Sequence, residues 1–200
     1  RIVGIVCLCV FISTIARTQF IRGYGLKVGA VSATQTWDYK INVNFPTERR
    51  WGIDVGAYVE ILDIPYISLL GELHYIQKGF SITLPVTTLA QPGCTGEYVT
   101  KRPRVDYLSV PLLVKLRLDM GMVVPYFFVG PRLDILIAKE PEGIQAVLDN
   151  FKNTDVGVSL GAGFEVPLTI ISAALVEFRY SPSLNEAFSN NNLTVKNQSV

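Results

Sequence analysis

The chain has one histidine, His74, two residues from Glu72, and serines at 109 and 159 on segments of matching periodicity. A histidine, a carboxylate and a hydroxyl are the parts of a nucleophilic site. Nothing else in the sequence assembles them. No nucleophile motif surrounds Ser109 or Ser159, and a lone His among charged neighbours is more often a structural hydrogen-bonding group. Gly161-Ala162-Gly163 has the look of a nucleotide loop, but it lies within a strand pattern and no helix follows, so the dinucleotide reading fails on context. Cys7, Cys9 and Cys94 with a single His do not make a metal cluster. The expectation is a protein that is not an enzyme and uses no cofactor or metal.

The remaining chemistry is in charge pairing. Asp54, Glu60, Glu72, Asp134, Glu165 and Glu177 share one strand parity with Lys27, Lys78, Lys115, Arg117, Arg132 and Arg179. These twelve residues are expected to form an interior ion-pair network, because an unpaired buried charge costs several kcal/mol.

The elements that position them follow from composition and period. The chain has 200 residues, 49% hydrophobic and 18% charged, with a net charge of +1. That excludes disorder, and the absence of a Lys/Arg cluster argues against nucleic acid as a partner. From Tyr24 onward the hydrophobic period is two. In residues 50–63, Trp51, Ile53, Val55, Ala57, Val59 and Ile61 share one parity, opposite Gly52, Asp54, Gly56, Tyr58 and Glu60. A strand sends alternate side chains to opposite faces, so one face is apolar and the other is Gly-rich and charged. The split recurs over 24–33, 66–80, 105–118, 124–138, 154–166 and 171–181, giving seven strands. An eighth begins near Leu193 and is cut off at Val200.

Long connections (35–48, 81–103, 139–153, 182–192) alternate with short ones (63–65, 119–122, 167–169). This is an up-and-down meander with its long loops at one end, the layout of transmembrane barrels. Within 140–152, Ile144, Val147, Leu148 and Phe151 follow helical spacing behind Pro141, which reads as a short amphipathic helix. Residues 1–19 carry a basic residue, an apolar stretch and small residues before Gln19, the pattern of a secretory signal peptide truncated at its start. The barrel domain is then 20–200. Removal of that segment leaves Cys94 as the one remaining cysteine, with no internal disulfide.

Parity does not say which face is inside. A soluble ligand-binding barrel puts the apolar face in, and a membrane barrel inverts this. Three features favour inversion. The strands reach the roughly 9–11 residues needed to cross. The charged parity is rich in glycine, as a crowded eight-stranded interior requires. Trp51, Phe178, Tyr180, Phe127 and Phe164 fall near strand ends on the apolar parity, as interfacial aromatics do. The expected fold is all-β, an eight-stranded antiparallel up-and-down transmembrane β-barrel with its last strand truncated. An eight-stranded barrel is only wide enough for side chains to fill, so a small-solute channel is the less favoured alternative.

Several segments resemble the outer-membrane β-barrel domain of Bacteroidota known as the PorT-like family. They are Gly25-Leu26-Lys27-Val28-Gly29, residues 72–79 (ELHYIQKG), residues 107–115 (YLSVPLLVK), residues 125–131 (PYFFVGP), Asp155-Val156-Gly157 running on to Gly161-Ala162-Gly163-Phe164-Glu165, and Glu177-Phe178-Arg179-Tyr180. The resemblance covers the chain from Tyr24 to nearly its end. It departs at Ser109, where the family has an acidic residue, and lacks the family's closing strand with a terminal aromatic. It implies an integral protein of the cell outer membrane, with a porin-like barrel and long extracellular loops. The implied role is structural or interactive, secretion-associated in some members. Its implied partners are outer-membrane lipid, the barrel assembly machinery and secretion or envelope proteins.

Overall fold

The computed structural model describes residues 7–9, 21–39, 47–64, 66–85, 96, 98–140, 153–169, 172–184, 188–190 and 193–199. The long strands are β2 (Ile21–Tyr39), β3 (Thr47–Ile64), β4 (Ile67–Pro85), β6 (Arg104–Arg117), β7 (Val124–Glu140), β8 (Thr154–Pro167) and β9 (Ala173–Pro182). Short strands complete the set: β1 (Cys7–Cys9), β5 (Tyr98–Lys101), β10 (Phe188–Asn190) and β11 (Leu193–Ser199). Every pairing is antiparallel, and the long strands follow one another around the sheet in chain order. This is the up-and-down meander expected from the period-two pattern.

The sheet curls back on itself through β11. That strand pairs β2 from Tyr39 down to Ala33, and pairs β9 at Pro182 and Ser181. Below that point β1, which lies within the segment read as a signal peptide, pairs β9 at Leu175, Val176 and Glu177. The eighth strand therefore begins at Leu193, as its periodicity indicated.

Several connections are shorter than the sequence implied, because the strands run on past the apolar pattern. β2 continues to Tyr39, β4 to Pro85 and β7 to Glu140, and β5 and β10 form inside segments read as loops. Antiparallel pairing continues there because neighbouring strands satisfy each other's backbone groups, whether or not one face is apolar. The amphipathic stretch expected over 140–152 lies, from residue 141 on, outside the described residues.

The alternation is visible in β6, where Leu112, Val114 and Leu116 are exposed while Leu113, Lys115 and Arg117 are buried. On β3 the outward parity runs from Trp51 to Ile61, ten residues apart. At ~3.4 Å per residue and a tilt near ~40°, that stretch is roughly 26 Å tall, close to the apolar band of a membrane barrel. The large residues on this outer face, Leu26, Ile53, Leu112, Phe127, Val129 and Phe164 among them, are each about half exposed or more.

At the short-turn end two non-glycine residues hold the left-handed conformation, Leu62 (φ 59°) and Tyr66 (φ 71°). They bracket the tight β3–β4 connection, whose length leaves the chain no relaxed alternative for reversing direction.

Candidate functional site

The inner face is crowded, and its glycines make room. Five bulky inner residues stand directly opposite a glycine on the adjacent strand: Tyr58 on Gly25, His74 on Gly56, Tyr126 on Gly163, Phe128 on Gly161 and Arg132 on Gly157. A Cβ on Gly25 would lie 2.7 Å from the Tyr58 ring, and one on Gly56 would lie 2.6 Å from the His74 ring. Any side chain there collides with its neighbour. The glycine excess on the charged parity is thus a packing requirement of a narrow barrel.

The charged residues stack in three layers. Nearest the short turns, Lys115 Nζ lies 3.0 Å from Glu60 and 3.1 Å from Glu165. Glu60 also accepts from Ser68 at 2.6 Å, and faces Arg22 Nε at 3.3 Å and Arg117 Nε at 3.8 Å. Midway, Lys27 Nζ donates to Glu72 at 2.5 Å and to Glu177 at 2.8 Å. Arg179 Nη2 reaches the same two carboxylates at 2.7 and 2.6 Å. The Tyr126 hydroxyl donates to Glu177 at 3.2 Å. Toward the loops, Lys78 Nζ donates to Asp134 at 2.5 Å, and Arg132 Nε lies 3.1 Å from the other oxygen of that carboxylate.

An aromatic ring backs a cation in each layer. Lys115 sits 4.4 Å from the Tyr126 ring centre, Lys27 5.2 Å from Tyr58, Lys78 5.1 Å from Tyr107, and the Arg179 guanidinium 5.0 Å from Phe128. A ring face attracts a cation, and the attraction grows when water is excluded. Each lysine is thus held between carboxylate and ring.

His74 is buried between two acids. Its Nδ1 is 2.6 Å from Asp54 and its Nε2 is 3.1 Å from Glu72. The two N–H groups of an imidazolium satisfy both contacts. Ser109 stands beside His74 in the β4–β6 register, but both ring nitrogens are taken by carboxylates. Lys115 and Arg117, which share its face, serve Glu60 instead, nearer the turns.

All twelve residues singled out by parity lie on the inner face; eleven have an ion-pair partner, and Asp54 meets the His74 ring. Asp54 and Glu165 are partly exposed, and the other ten are more deeply placed. Sequence reasoning did not count Arg22, which precedes the first apolar alternation, or Asp155, which is buried and accepts from Ser183 at 2.5 Å. It also missed a set on the outer parity at the loop end. There Asp106 accepts from the Tyr75 hydroxyl at 2.7 Å and faces Arg104 Nε at 3.1 Å, while Arg104 reaches Glu140 at 2.7 Å. Only register brings 75, 104, 106 and 140 together, so no local spacing announces them. The inner rings Tyr58, Tyr107 and Tyr126 had a usable signal, since each shares parity with charged residues.

This arrangement links facing walls across the lumen through paired charges. A family model described as the outer membrane protein beta-barrel domain matches residues 23–189, from β2 into β10. No curated protein and no solved structure matches the chain. A charged, glycine-packed inner face, an apolar outer band and a matched span over most of the sequence agree: the chain belongs to the outer membrane protein beta-barrel domain family.

Proposed function

We propose that this protein is an integral barrel of the cell outer membrane whose lumen is plugged by side chains, and whose role is structural or interactive rather than catalytic or conductive. The observation that carries the reading is the layering of the lumen. From Lys115 through Lys27 to Lys78, cations, carboxylates and rings from facing walls meet across the interior. An eight-stranded barrel has just enough width for such side chains. A solute would have to break buried ion pairs in each layer to pass.

The long connections at one end are then the surface offered to partners. The resemblance to PorT-like barrels supports envelope or secretion-associated proteins as those partners, with surrounding lipid and the barrel assembly machinery met during insertion. The test is reconstitution of the full-length protein into planar bilayers and vesicles. Flotation with the vesicles, heat-modifiable gel mobility and a silent bilayer are expected. Steady unitary conductance would favour the small-solute channel, and recovery in the soluble fraction without heat modifiability would favour a soluble ligand-binding barrel.

A further inference from the structure

The three short turns are apolar for chain that reverses direction in water. They are residues 62–66 (LDIPY), 118–123 (LDMGMV) and 167–172 (PLTIIS). None holds a Lys or Arg, and large apolar side chains stand where Gly, Pro, Asn, Asp and Ser usually dominate. Ile64 and Leu168 are at least half exposed, Met120 is 71% exposed and Met122 87%. The polar groups beside them are satisfied within the turns. Asp119 accepts from the Gly121 amide at 3.1 Å, and the Thr169 and Ser172 hydroxyls pair at 2.6 Å.

The apolar outer rows run into these turns without a break. On β6 the outer parity is apolar from Leu108 through Leu116 and Leu118 to Met120, and on β8 from Val156 through Phe164 to Leu168. At ~3.4 Å per residue and a tilt near ~40°, the β8 row is roughly 31 Å tall. The apolar band of a membrane barrel is ~25 Å tall, so the row overruns it by ~6 Å. The opposite end of the wall finishes differently. There the outer face closes on Arg104, Asp106 and Glu140, and Arg49 is exposed on β3. Charge holds that end at water, and the surplus apolar length falls at the turns.

We propose that the three turns are seated in the periplasmic leaflet, with Ile64, Met120, Met122 and Leu168 among phospholipid at the headgroup–acyl boundary. This end of the barrel then does not project into the periplasm. Phospholipid is the occupant because the surface continues the lipid-facing band and its turns carry no cation to pair with an acidic protein. Methionine suits that occupant, since its unbranched side chain adapts to an irregular apolar surface. Apolar elements at a membrane interface sink ~5–10 Å into the headgroup region, which accommodates the overrun. The inference rests on the integral barrel and not on a plugged lumen.

Methionine NMR tests this without altering the turns. Met120 and Met122 are the two methionines of the 200 residues, so methyl-13C methionine labels one turn. The full chain is placed in phospholipid discs. Its methyls are exposed separately to a lipid carrying a nitroxide near its carbonyl and to a water-soluble gadolinium chelate. Leu112→Met, on the outer band, supplies a lipid reference, and Thr100→Met, exposed at the loop end, a water reference. Met120→Leu and Met122→Leu assign the turn signals. Both turn methyls should be relaxed by the nitroxide at least threefold more than Thr100→Met, and by the chelate at least threefold less. Turn methyls that follow Thr100→Met while Leu112→Met stays in lipid would overturn the proposal and leave the surface to a periplasmic protein. Relaxation of Leu112→Met by the chelate as well would overturn the spanning barrel itself, and this seating with it.

Discussion

Replacing Glu60 by leucine tests the inside-out arrangement most directly. Glu60 is 4% exposed. Its carboxylate takes a hydrogen bond from Ser68 and faces Lys115, Arg22 and Arg117. Glu60→Leu leaves that basic group with Glu165 as the remaining carboxylate of the layer. Breaking a buried pair by removing one partner costs ~3–5 kcal/mol. Because Arg22 is partly exposed and Glu165 still serves Lys115, the lower end applies: about 3 kcal/mol, roughly a hundredfold in the folding equilibrium. With a urea dependence of ~1–3 kcal/mol per molar, the unfolding midpoint in vesicles falls by roughly 1–3 M. The companion substitution is Val55→Arg, on the opposite parity of the same strand, where Val55 is 42% exposed. In lipid an outward arginine near the midplane costs ~2–4 kcal/mol. On an outer face that met water instead of lipid, an exposed arginine would be nearly neutral. Urea titration of vesicle-folded protein, read by tryptophan fluorescence and gel mobility, gives both numbers. Glu60→Leu within ~0.5 kcal/mol of the parent, the scale of a surface change, together with a harmless Val55→Arg, would refute the placement of charge inside and apolar surface toward lipid.

Gly163→Leu drives a side chain into the Tyr126 ring, 2.5 Å from where its Cβ would stand. Overpacking of this kind should lower stability by about 1–3 kcal/mol or more in the same titration, while Ala162→Leu on the lipid side stays near neutral. His74→Phe removes the group facing Asp54 and Glu72. It should cost about 1–3 kcal/mol for the acceptors it strands, and His74→Gln, which keeps one donor group, should cost less by thermal gel-shift. Tyr66→Gly relieves a left-handed backbone worth ~1–2 kcal/mol. Its unfolding midpoint should equal or exceed the parent's, and a clear fall would mean the exposed ring contributes more than the backbone costs.

Some of this architecture is written in the order of residues. Period-two alternation from Tyr24 onward needs no tertiary information, because adjacent side chains on a strand must face opposite ways. Trp51 to Ile61 against Gly52 to Glu60 already separates a lipid-facing row from a charged one. The tight turns are local too, and they forced an antiparallel meander. Parity also found the twelve inner charges, since membership of a face is a property of position along one strand.

Partnership is not such a property. Lys27 meets Glu177 from a point 150 residues away, and only curling the sheet brings those walls together. Lys115 and Arg117 share a face with His74 yet serve Glu60, because parity gives the face but not the height of one strand against another. Height is fixed by register, and register comes from turn geometry and from which ring rests on which glycine. The strands also ran beyond the apolar pattern, because backbone pairing continues past the hydrocarbon edge. The sequence therefore decided which side chains look inward. The tertiary structure decided which acid each base would meet, because curl and register alone set the distance from one wall to another.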